Sequence, residues 1–235
     1  MVFTFDKKTM KLKHISHLIT GSVMELFGVM ADGKVVNSYE LTNKRGAKLK
    51  VINYGATVTS LKIPLKSGEM VDVVLGFDTL ENYINSFDLE SAPYLGATVG
   101  RYAGRINNAT FNLNGEIIHL DKNNNGHSLH GGKDNFSKKV WEVKNVNEGC
   151  SPSITFGYLS PANEGNYPGD LSVELTYTLS ENNELIIEYN AQTTEDTVLN
   201  LTHHSYFNLD GHDSSVSEQE LIVNSHKMLE TTTEN

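Results

Sequence analysis

One stretch of this chain alternates apolar and polar residues over nine positions. Leu171, Val173, Leu175, Tyr177 and Leu179 are separated by single serine, glutamate or threonine residues. Because successive side chains of a β-strand point to opposite faces, this spacing predicts a strand with one buried face and one face in water. The fold must therefore contain a β-sheet that is buried on one face and exposed to water on the other.

Turn residues at two places predict antiparallel hairpins. Asn182-Asn183 follows the alternating strand, and residues 185–191 then repeat the alternation. A second hairpin is predicted over residues 110–120, where Asn114-Gly115 favours a type I′ turn because both central residues need positive φ.

Strand signals continue along the chain, whereas helix signals are scarce. Further strands are predicted at residues 35–41, 48–54, 71–75, 140–143, 154–158 and 221–223. Asp78, with Glu81 three positions later, is the predicted N-cap of one short helix that runs through Ile84. Many short strands and a single helix favour a large antiparallel sandwich or barrel. Residues 1–24 are interpreted as an N-terminal extension and residues 25–235 as one domain.

Charge and cysteine content exclude several classes of function. The net charge is −10, from 19 Lys and Arg against 29 Asp and Glu, and the chain has no basic stripe of the kind that binds nucleic acid. Polar residues interrupt the first 30 positions, which argues against a signal peptide, and no apolar run approaches the ~20 residues of a membrane helix. The lone Cys150 lies in a predicted turn and is interpreted as structural. A cytoplasmic protein with no membrane or nucleic acid partner is expected.

Two polar segments have a plain structural interpretation beside a functional one. Arg101 and Arg105 stand four apart between glycines, so in an extended strand they would lie on the same face and could approach a ligand together. A pair of surface arginines is the plainer interpretation. Glu164 lies in a turn-rich loop, where a structural role is likewise the plainer one.

Histidines stand in two more segments. His127 and His130 lie in a stretch rich in Gly and Asn, and His203 and His204 lie among apolar residues. Histidine titrates near neutral pH and so suits acid/base chemistry, although loop and core histidines without a function are common. A metal site formed by these four histidines is the alternative, but the spacing is poor for metal ligands and no metal is predicted.

Taken in order along the chain, these segments resemble the aldose 1-epimerase family. They are NYGA (53–56), LGFD (75–78), GRYAGRI (100–106), SLHGG (128–132), YPG (167–169) and NLTHHSYFNL (200–209). Six segments in the same order, from about Glu25 to the last residue, are far more specific than any one of them. The resemblance implies an all-β fold, a large antiparallel β-sandwich of the galactose mutarotase-like supersandwich type, with the sugar on a concave face.

The resemblance also implies a reaction and the residues that perform it. Family members interconvert the α and β anomers of free hexoses such as galactose and glucose, without a cofactor. Ring opening requires a proton at the ring oxygen and removal of a proton from the C1 hydroxyl, so one acid and one base suffice. Carried over by position, His204 is the general acid and His130 is the second catalytic histidine, near the anomeric end. Arg105, Ser205 and Tyr206 join the two histidines in binding the sugar.

Two positions depart from the family's pattern. Gly104 stands where the family often has asparagine, which removes an amide that contacts the sugar. His203 stands where asparagine is common, and this change is expected to be tolerated.

The family's sequence continues beyond the segment that matches residues 221–235, and the continuation carries a sugar-binding aspartate and the glutamate base. We therefore expect the chain to lack its C-terminal strands and to turn over sugar near the uncatalysed rate by itself. A non-catalytic sugar-binding protein of the same fold is the alternative. A related enzyme of hexose 6-phosphates is disfavoured by the acidic composition. Both a monomer and a homodimer are compatible with the sequence.

Overall fold

The computed structural model describes residues 22–228, so that most of the predicted N-terminal extension lies outside the described residues. Strands β1 to β5 are Ser22–Val29, Val35–Thr42, Lys48–Ile52, Thr57–Pro64 and Met70–Asp72, and helix α1 is Leu80–Phe87. Strands β6 to β10 are Thr98–Val99, Arg105–Ile106, Thr110–Leu113, Glu116–His119 and Ser128–Leu129. Strands β11 to β15 are Glu142–Asn147, Ser153–Ser160, Leu171–Leu179, Leu185–Thr193 and Thr202–His203. Short 3-10 helices cover Asn107–Ala109, Phe136–Lys138, Glu164–Asn166 and Val216–Glu218.

Two antiparallel sheets form the body of the structure. One has the order β1-β2-β3-β4-β5 and the other has the order β11-β12-β13-β14. Three two-stranded pairs, β6 with β15, β7 with β10, and β8 with β9, are also antiparallel. The predicted antiparallel β architecture is confirmed.

The two sheets share one apolar core. Leu49 and Val58 from the first sheet belong to the same buried cluster as Phe156 and Leu175 from the second, with Trp141 among them. All five side chains are fully or almost fully buried. Burying each such side chain contributes ~1.5–3 kcal/mol, so this shared interior holds the sheets face to face as a sandwich.

Both predicted hairpins are present. Strand β13 pairs with β14 along its full length, from Leu171 opposite Thr193 to Leu179 opposite Leu185. The turn between β8 and β9 has φ of 53° at Asn114 and 88° at Gly115, as a type I′ turn requires.

The helix starts one residue later and ends three residues later than predicted. Thr79 is the N-cap, because its side chain accepts a hydrogen bond from the Asn82 backbone N–H, so the assignment to Asp78 was wrong. Leu80 and Tyr83 are buried on the face that packs into the fold. Phe87 continues this apolar spacing by one more turn, and the helix therefore extends past Ile84.

Three further strand assignments differ from the structure. Residues 221–223 are exposed and form no strand, because an extended segment needs a hydrogen-bonded partner and none of the described strands pairs with it. Strand β4 was not predicted, because its first three residues, Thr57, Val58 and Thr59, are all buried and burial therefore does not alternate there. Strand β1 was also missed, because a shift of register between Leu26 and Gly28 breaks its two-residue period.

No helix within residues 22–228 is long and apolar enough to cross a membrane.

The burial pattern of β13 predicts a large difference between neighbouring substitutions. Leu175→Ala removes a fully buried side chain from the shared core and should lower the free energy of unfolding by ~2–5 kcal/mol. Glu174→Ala, on the exposed face of the same strand, should change it by less than ~0.5 kcal/mol. Urea unfolding of both variants tests this. Equal losses would contradict the difference in burial between the two faces, and a larger loss for Glu174→Ala would mean that the faces are assigned the wrong way round.

Candidate functional site

Backbone pairing fixes His204 on both sides. In the β6–β15 pair His203 lies opposite Thr98. Just beyond the strand, the His204 N–H donates to Ala97 O at 3.0 Å and the Gly96 N–H donates to His204 O at 3.0 Å. The His204 side chain therefore leaves a backbone that is held as rigidly as a strand.

His130 lies in a tight turn after β10. Its φ is 54°, and its N–H donates to Gly104 O at 3.0 Å, while the Gly104 N–H donates to His130 Nδ1 at 3.1 Å. The next residue, Gly131, has a φ of 89°, and a Cβ atom there would lie 2.1 Å from Gly100 O. Only glycine allows this approach, so Gly131 sets the position of the His130 turn.

The two histidine rings meet at the wall of one cavity. Their centroids lie 5.3 Å apart at 83°, and the Tyr94 ring contacts both, at 5.2 Å from His130 and 6.0 Å from His204. A cavity of about 530 Å³ is lined by both histidines together with His203 and Ser205. A cleft of about 590 Å³, which Tyr94 and Arg105 also line, adjoins this region. Three of the five side chains expected to bind sugar, those of His130, His204 and Ser205, therefore line one cavity, and Arg105 lines the adjoining cleft.

The fifth, Tyr206, lies on the other side of His204. Its ring centroid is 5.4 Å from that of His204 at 35°, and 42% of the residue is exposed. It therefore packs against the His204 ring while remaining partly in contact with solvent.

The three histidines of the cavity differ in how many ring nitrogens are already bonded. His203 uses both, with Nδ1 3.3 Å from the Tyr177 hydroxyl and Nε2 2.5 Å from Ser205 Oγ. His130 uses Nδ1 alone. Neither ring nitrogen of His204 has a hydrogen bond to any residue in the range 22–228. His204 is therefore the histidine with both nitrogens free for a ligand.

Burial keeps two of these histidines neutral. It lowers the pKa of His130 to about 4, with smaller contributions from the nearby His204 and Arg105. Burial, together with His204, also lowers the pKa of His203 to about 4. At neutral pH a neutral His130 whose Nδ1 accepts a hydrogen bond must carry its hydrogen on Nε2. His130 can then donate to an oxygen without being an acid itself.

The two arginines have opposite environments, so the prediction that they share a face was wrong. Arg101 is 2% exposed. Its guanidinium donates to Ser160 Oγ and to the carbonyl oxygens of Ser160, Pro161, Pro168 and Gly169, at 2.8–3.0 Å. Strand β7 begins only at Arg105, which is exposed and donates through Nε to Asn124 Oδ1 at 2.9 Å. The sequence spacing could not reveal this, because the backbone between the two residues is not a strand.

Glu164 belongs to the surroundings of Arg101. Its carboxylate accepts a hydrogen bond from the Tyr158 hydroxyl at 2.7 Å, another from Ser160 Oγ, and pairs with Lys139 Nζ at 2.7 Å. Burial opposes the charge of Lys139, but hydrogen bonds to Asp134 and Glu164 raise its pKa. Glu164 is therefore occupied by structural contacts.

Of the other residues singled out in the sequence, His127 lies outside the cavity, and Gly104 lines it without filling the space beside it. His127 is half-buried in its loop, where its Nδ1 accepts the Asn108 N–H at 3.0 Å. No three of the His, Cys, Asp and Glu residues between 22 and 228 are grouped to hold a metal ion. Gly104 has a φ of 84°, and a Cβ atom there would meet nothing within 4 Å. The asparagine amide that the family often has here is therefore replaced by open space.

Sequence reasoning missed Tyr94, which connects the site to the core. Its ring stacks on Phe87 at 5.8 Å, and Phe87 stacks on Tyr54 at 5.8 Å. Tyr54 is distant in the sequence from Phe87 and Tyr94, and the three residues follow no common period. No sequence signal identifies them, because only the packing of α1 brings the rings together.

Comparisons with known proteins agree with the geometry. The sequence profile of the aldose 1-epimerase family matches residues 37–235. Human galactose mutarotase is 38% identical over 200 residues, which are 84% of this chain and 55% of the human protein. Aldose 1-epimerase of Haemophilus influenzae is 37% identical over 199 residues, 82% of this chain and 54% of that protein. The chain spans about half the length of the curated relatives it matches.

Superposition on solved structures supports the same fold. An aldose epimerase homologue from C. elegans superposes with a TM-score of 0.67 at 37% identity, covering 74% of this chain and 51% of that one. Galactose 1-epimerase from Lactobacillus acidophilus superposes with a TM-score of 0.69 at 27% identity, covering 80% and 53% of the two chains. The predicted sandwich of the galactose mutarotase type is confirmed.

The low pKa of His203 makes stability depend on pH. In the unfolded chain this histidine binds its proton near pH 6.5, whereas in the folded protein it does so only near pH 4. The unfolded state therefore binds more protons between these values, and stability falls as the pH is lowered from 7 to 5. Replacing the ring by His203→Asn should reduce this loss by ~1–2 kcal/mol. Urea unfolding at both pH values measures it, and an unchanged loss in the variant would contradict the assignment.

Proposed function

The chain belongs to the aldose 1-epimerase family, and on that basis we propose that it acts as a mutarotase, interconverting the α and β anomers of free hexoses such as galactose and glucose. The observation that carries this proposal is the pair of histidines in one cavity. His204 has both ring nitrogens free, and His130 is held neutral beside it. A free imidazole can pass a proton to and from the ring oxygen, which is the step that opens the sugar.

Four of the side chains expected to bind the sugar have a place in this reaction. His204 delivers a proton to the ring oxygen, and the open aldehyde then rotates about C1–C2 and closes on its other face. His130 donates its Nε2 hydrogen to a sugar oxygen near the anomeric carbon. Arg105 uses one N–H on Asn124, and its terminal nitrogens have no hydrogen bonds within residues 22–228, so they can donate to sugar hydroxyls. Tyr206 packs against the His204 ring and limits its orientation.

The base is proposed to come from outside the described part of the chain. No carboxylate lines the cavity of His130 and His204 within residues 22–228. Glu164, the nearest candidate by sequence, is held by Lys139, Tyr158 and Ser160. The resemblance supplies a glutamate in the family's continuation beyond residue 235. We propose that this glutamate takes the proton from the C1 hydroxyl.

The proposed ligand is a neutral aldose, and the proposed location is the cytoplasm, in keeping with the cysteine content. Nothing in the cavity favours the alternative of a non-catalytic sugar-binding protein. Polarimetry of freshly dissolved α-D-galactose distinguishes the two, when it is combined with calorimetric titration of the same sugar. The chain is assayed as it stands and joined to the C-terminal segment of a relative. Sugar binding without faster equilibration in the joined protein would support the binding protein instead.

His204→Asn should lower kcat of the joined protein ~100-fold or more, the usual scale for loss of a general acid. Sugar affinity should change much less, because the asparagine amide can still form a hydrogen bond. His127→Asn is the matched control, since His127 is a half-buried loop histidine that does not line the cavity, and its kcat should stay within about twofold of the unmodified protein's value. Near-normal turnover of His204→Asn would rule out His204 as the acid.

Arg105→Ala and His130→Ala should affect different kinetic constants. Arg105 holds hydroxyls in the ground state and the transition state alike, so its loss should mainly raise KM. His130 donates to an oxygen whose charge changes during the reaction, so its loss should mainly lower kcat. The polarimetric rate as a function of sugar concentration separates the two effects. A rise in KM alone for both variants would reduce His130 to a binding group.

A further inference from the structure

A chain of hydrogen bonds runs from the core of the sandwich to the cavity. The Tyr177 hydroxyl donates to Ala56 O at 2.7 Å and lies 3.3 Å from His203 Nδ1. On the other side of the ring, His203 Nε2 lies 2.5 Å from Ser205 Oγ. Ser205 lines the cavity with His130 and His204.

The direction of each bond in this chain follows from its buried end. A carbonyl oxygen only accepts, so the Tyr177 hydrogen lies on the short bond to Ala56 O. The Tyr177 oxygen must then accept from His203, which places the imidazole hydrogen on Nδ1. A neutral imidazole has only one such hydrogen, so Nε2 is an acceptor. Ser205 therefore donates its hydroxyl hydrogen to His203.

Two features keep the His203 ring in this state. The residue is held in β15 opposite Thr98, and its ring packs edge-on against Tyr177 with centroids 5.7 Å apart. Tyr177 itself is fully buried in β13. Burial also lowers the pKa of His203 to about 4, so the ring takes up no second hydrogen at neutral pH.

These bond directions restrict the hydrogen bonds that the Ser205 hydroxyl can form with a ligand. A serine hydroxyl normally rotates and serves as donor or acceptor as its ligand requires. Here its only hydrogen is committed to His203, and Ser205 Oγ has no other hydrogen-bond partner within residues 22–228. Its remaining lone pairs are available to the cavity.

We propose that His203, oriented by Tyr177, is a positioning residue that fixes Ser205 as a hydrogen-bond acceptor, so that a sugar bound in the cavity must present a hydroxyl hydrogen at that point. The ligand in this inference rests on the proposed function. A group that can only accept, such as a carbonyl oxygen, a phosphate oxygen or a fluorine atom, is disfavoured there. At this position the usual family asparagine has an amide that can both donate and accept, so the histidine makes the site more selective.

The same geometry does not make Ser205 a nucleophile. A histidine that activates a serine must accept its proton near the operating pH. His203 is a weak base, because its pKa lies near 4. The pair therefore binds ligands and does not form a covalent intermediate.

The position of the His203 hydrogen can be measured directly on the 235-residue chain. In a ¹⁵N-labelled sample at pH 7, two-bond ¹H–¹⁵N correlations distinguish an imidazole with its hydrogen on Nδ1 from one with it on Nε2. His203 is assigned by the signals lost in His203→Asn. The expected result is a hydrogen on Nδ1 of His203 and on Nε2 of His130. A hydrogen on Nε2 of His203, or a charged ring, would overturn the proposal without any variant having to be compared for activity.

Tyr177→Phe tests whether the tyrosine orients the ring. It removes only the hydroxyl, so the His203 hydrogen should no longer favour Nδ1. An amide spectrum like that of the unmodified chain shows that the variant is folded, and an unchanged tautomer in such a folded variant would contradict the role given to Tyr177.

Modified galactoses test what the serine accepts. Titration with galactose and with its deoxy and fluoro analogues at each hydroxyl should reveal one position where both replacements weaken binding about tenfold. In Ser205→Ala, the deoxy and fluoro analogues at that position should bind as tightly as galactose does. In His203→Asn the serine can rotate, so the fluoro penalty should shrink while the deoxy penalty persists. Fluoro analogues that bind the unmodified chain as well as galactose does, at every position, would refute the acceptor role.

The outcomes separate this inference from the proposed function. If galactose does not bind the unmodified chain or the joined protein, the proposed function and the sugar contact both fail, while the tautomer still decides the direction of the bond. If galactose binds and is turned over but His203→Asn leaves the fluoro penalty unchanged, the proposed function stands and the role of His203 is wrong.

Discussion

The buried guanidinium of Arg101 is the contact on which the site depends. Removing a charge from water is costly, and here the cost is offset by five hydrogen bonds, which go to Ser160 at the end of β12, to Pro161 and to the loop before β13. Burial lowers the pKa of Arg101, and the nearby carboxylate of Glu164 opposes that shift. The Arg101 carbonyl also accepts the Asn200 N–H at 2.9 Å. Arg101 thereby joins the four-stranded sheet to the backbone from which the loops of the candidate site extend.

The three histidines of the cavity differ because each has different hydrogen-bond partners. Gly104, three residues after Arg101, donates its N–H to Nδ1 of His130. Tyr177 and Ser205 form hydrogen bonds with the two ring nitrogens of His203, whereas neither ring nitrogen of His204 has a hydrogen bond within residues 22–228. Three chemically identical side chains in one cavity thus become a donor, a positioning group and a candidate acid. Their differences lie in hydrogen bonding and burial alone.

The sequence located much of this site, but only by way of the family resemblance. The segments around His130 and His204 identified the residues that the structure brings together. The pairing of Arg101 with Arg105 was misjudged, because a two-residue strand period does not hold through the segment that precedes β7. Tyr94 gave no signal at all, since its contacts come from α1 and from two distant loops.

Local patterns determined what depends on neighbouring residues in the chain. The alternation along β13 predicted its burial, and Asn114-Gly115 predicted the turn between β8 and β9, because side-chain direction and φ preference act within a few residues. The protonation states of His130 and His203 were decided only in the tertiary structure. Each depends on a partner 26 residues away, Gly104 for one and Tyr177 for the other. Both rings lose part of their contact with water only in the folded structure, and no sequence pattern encodes that loss of solvent.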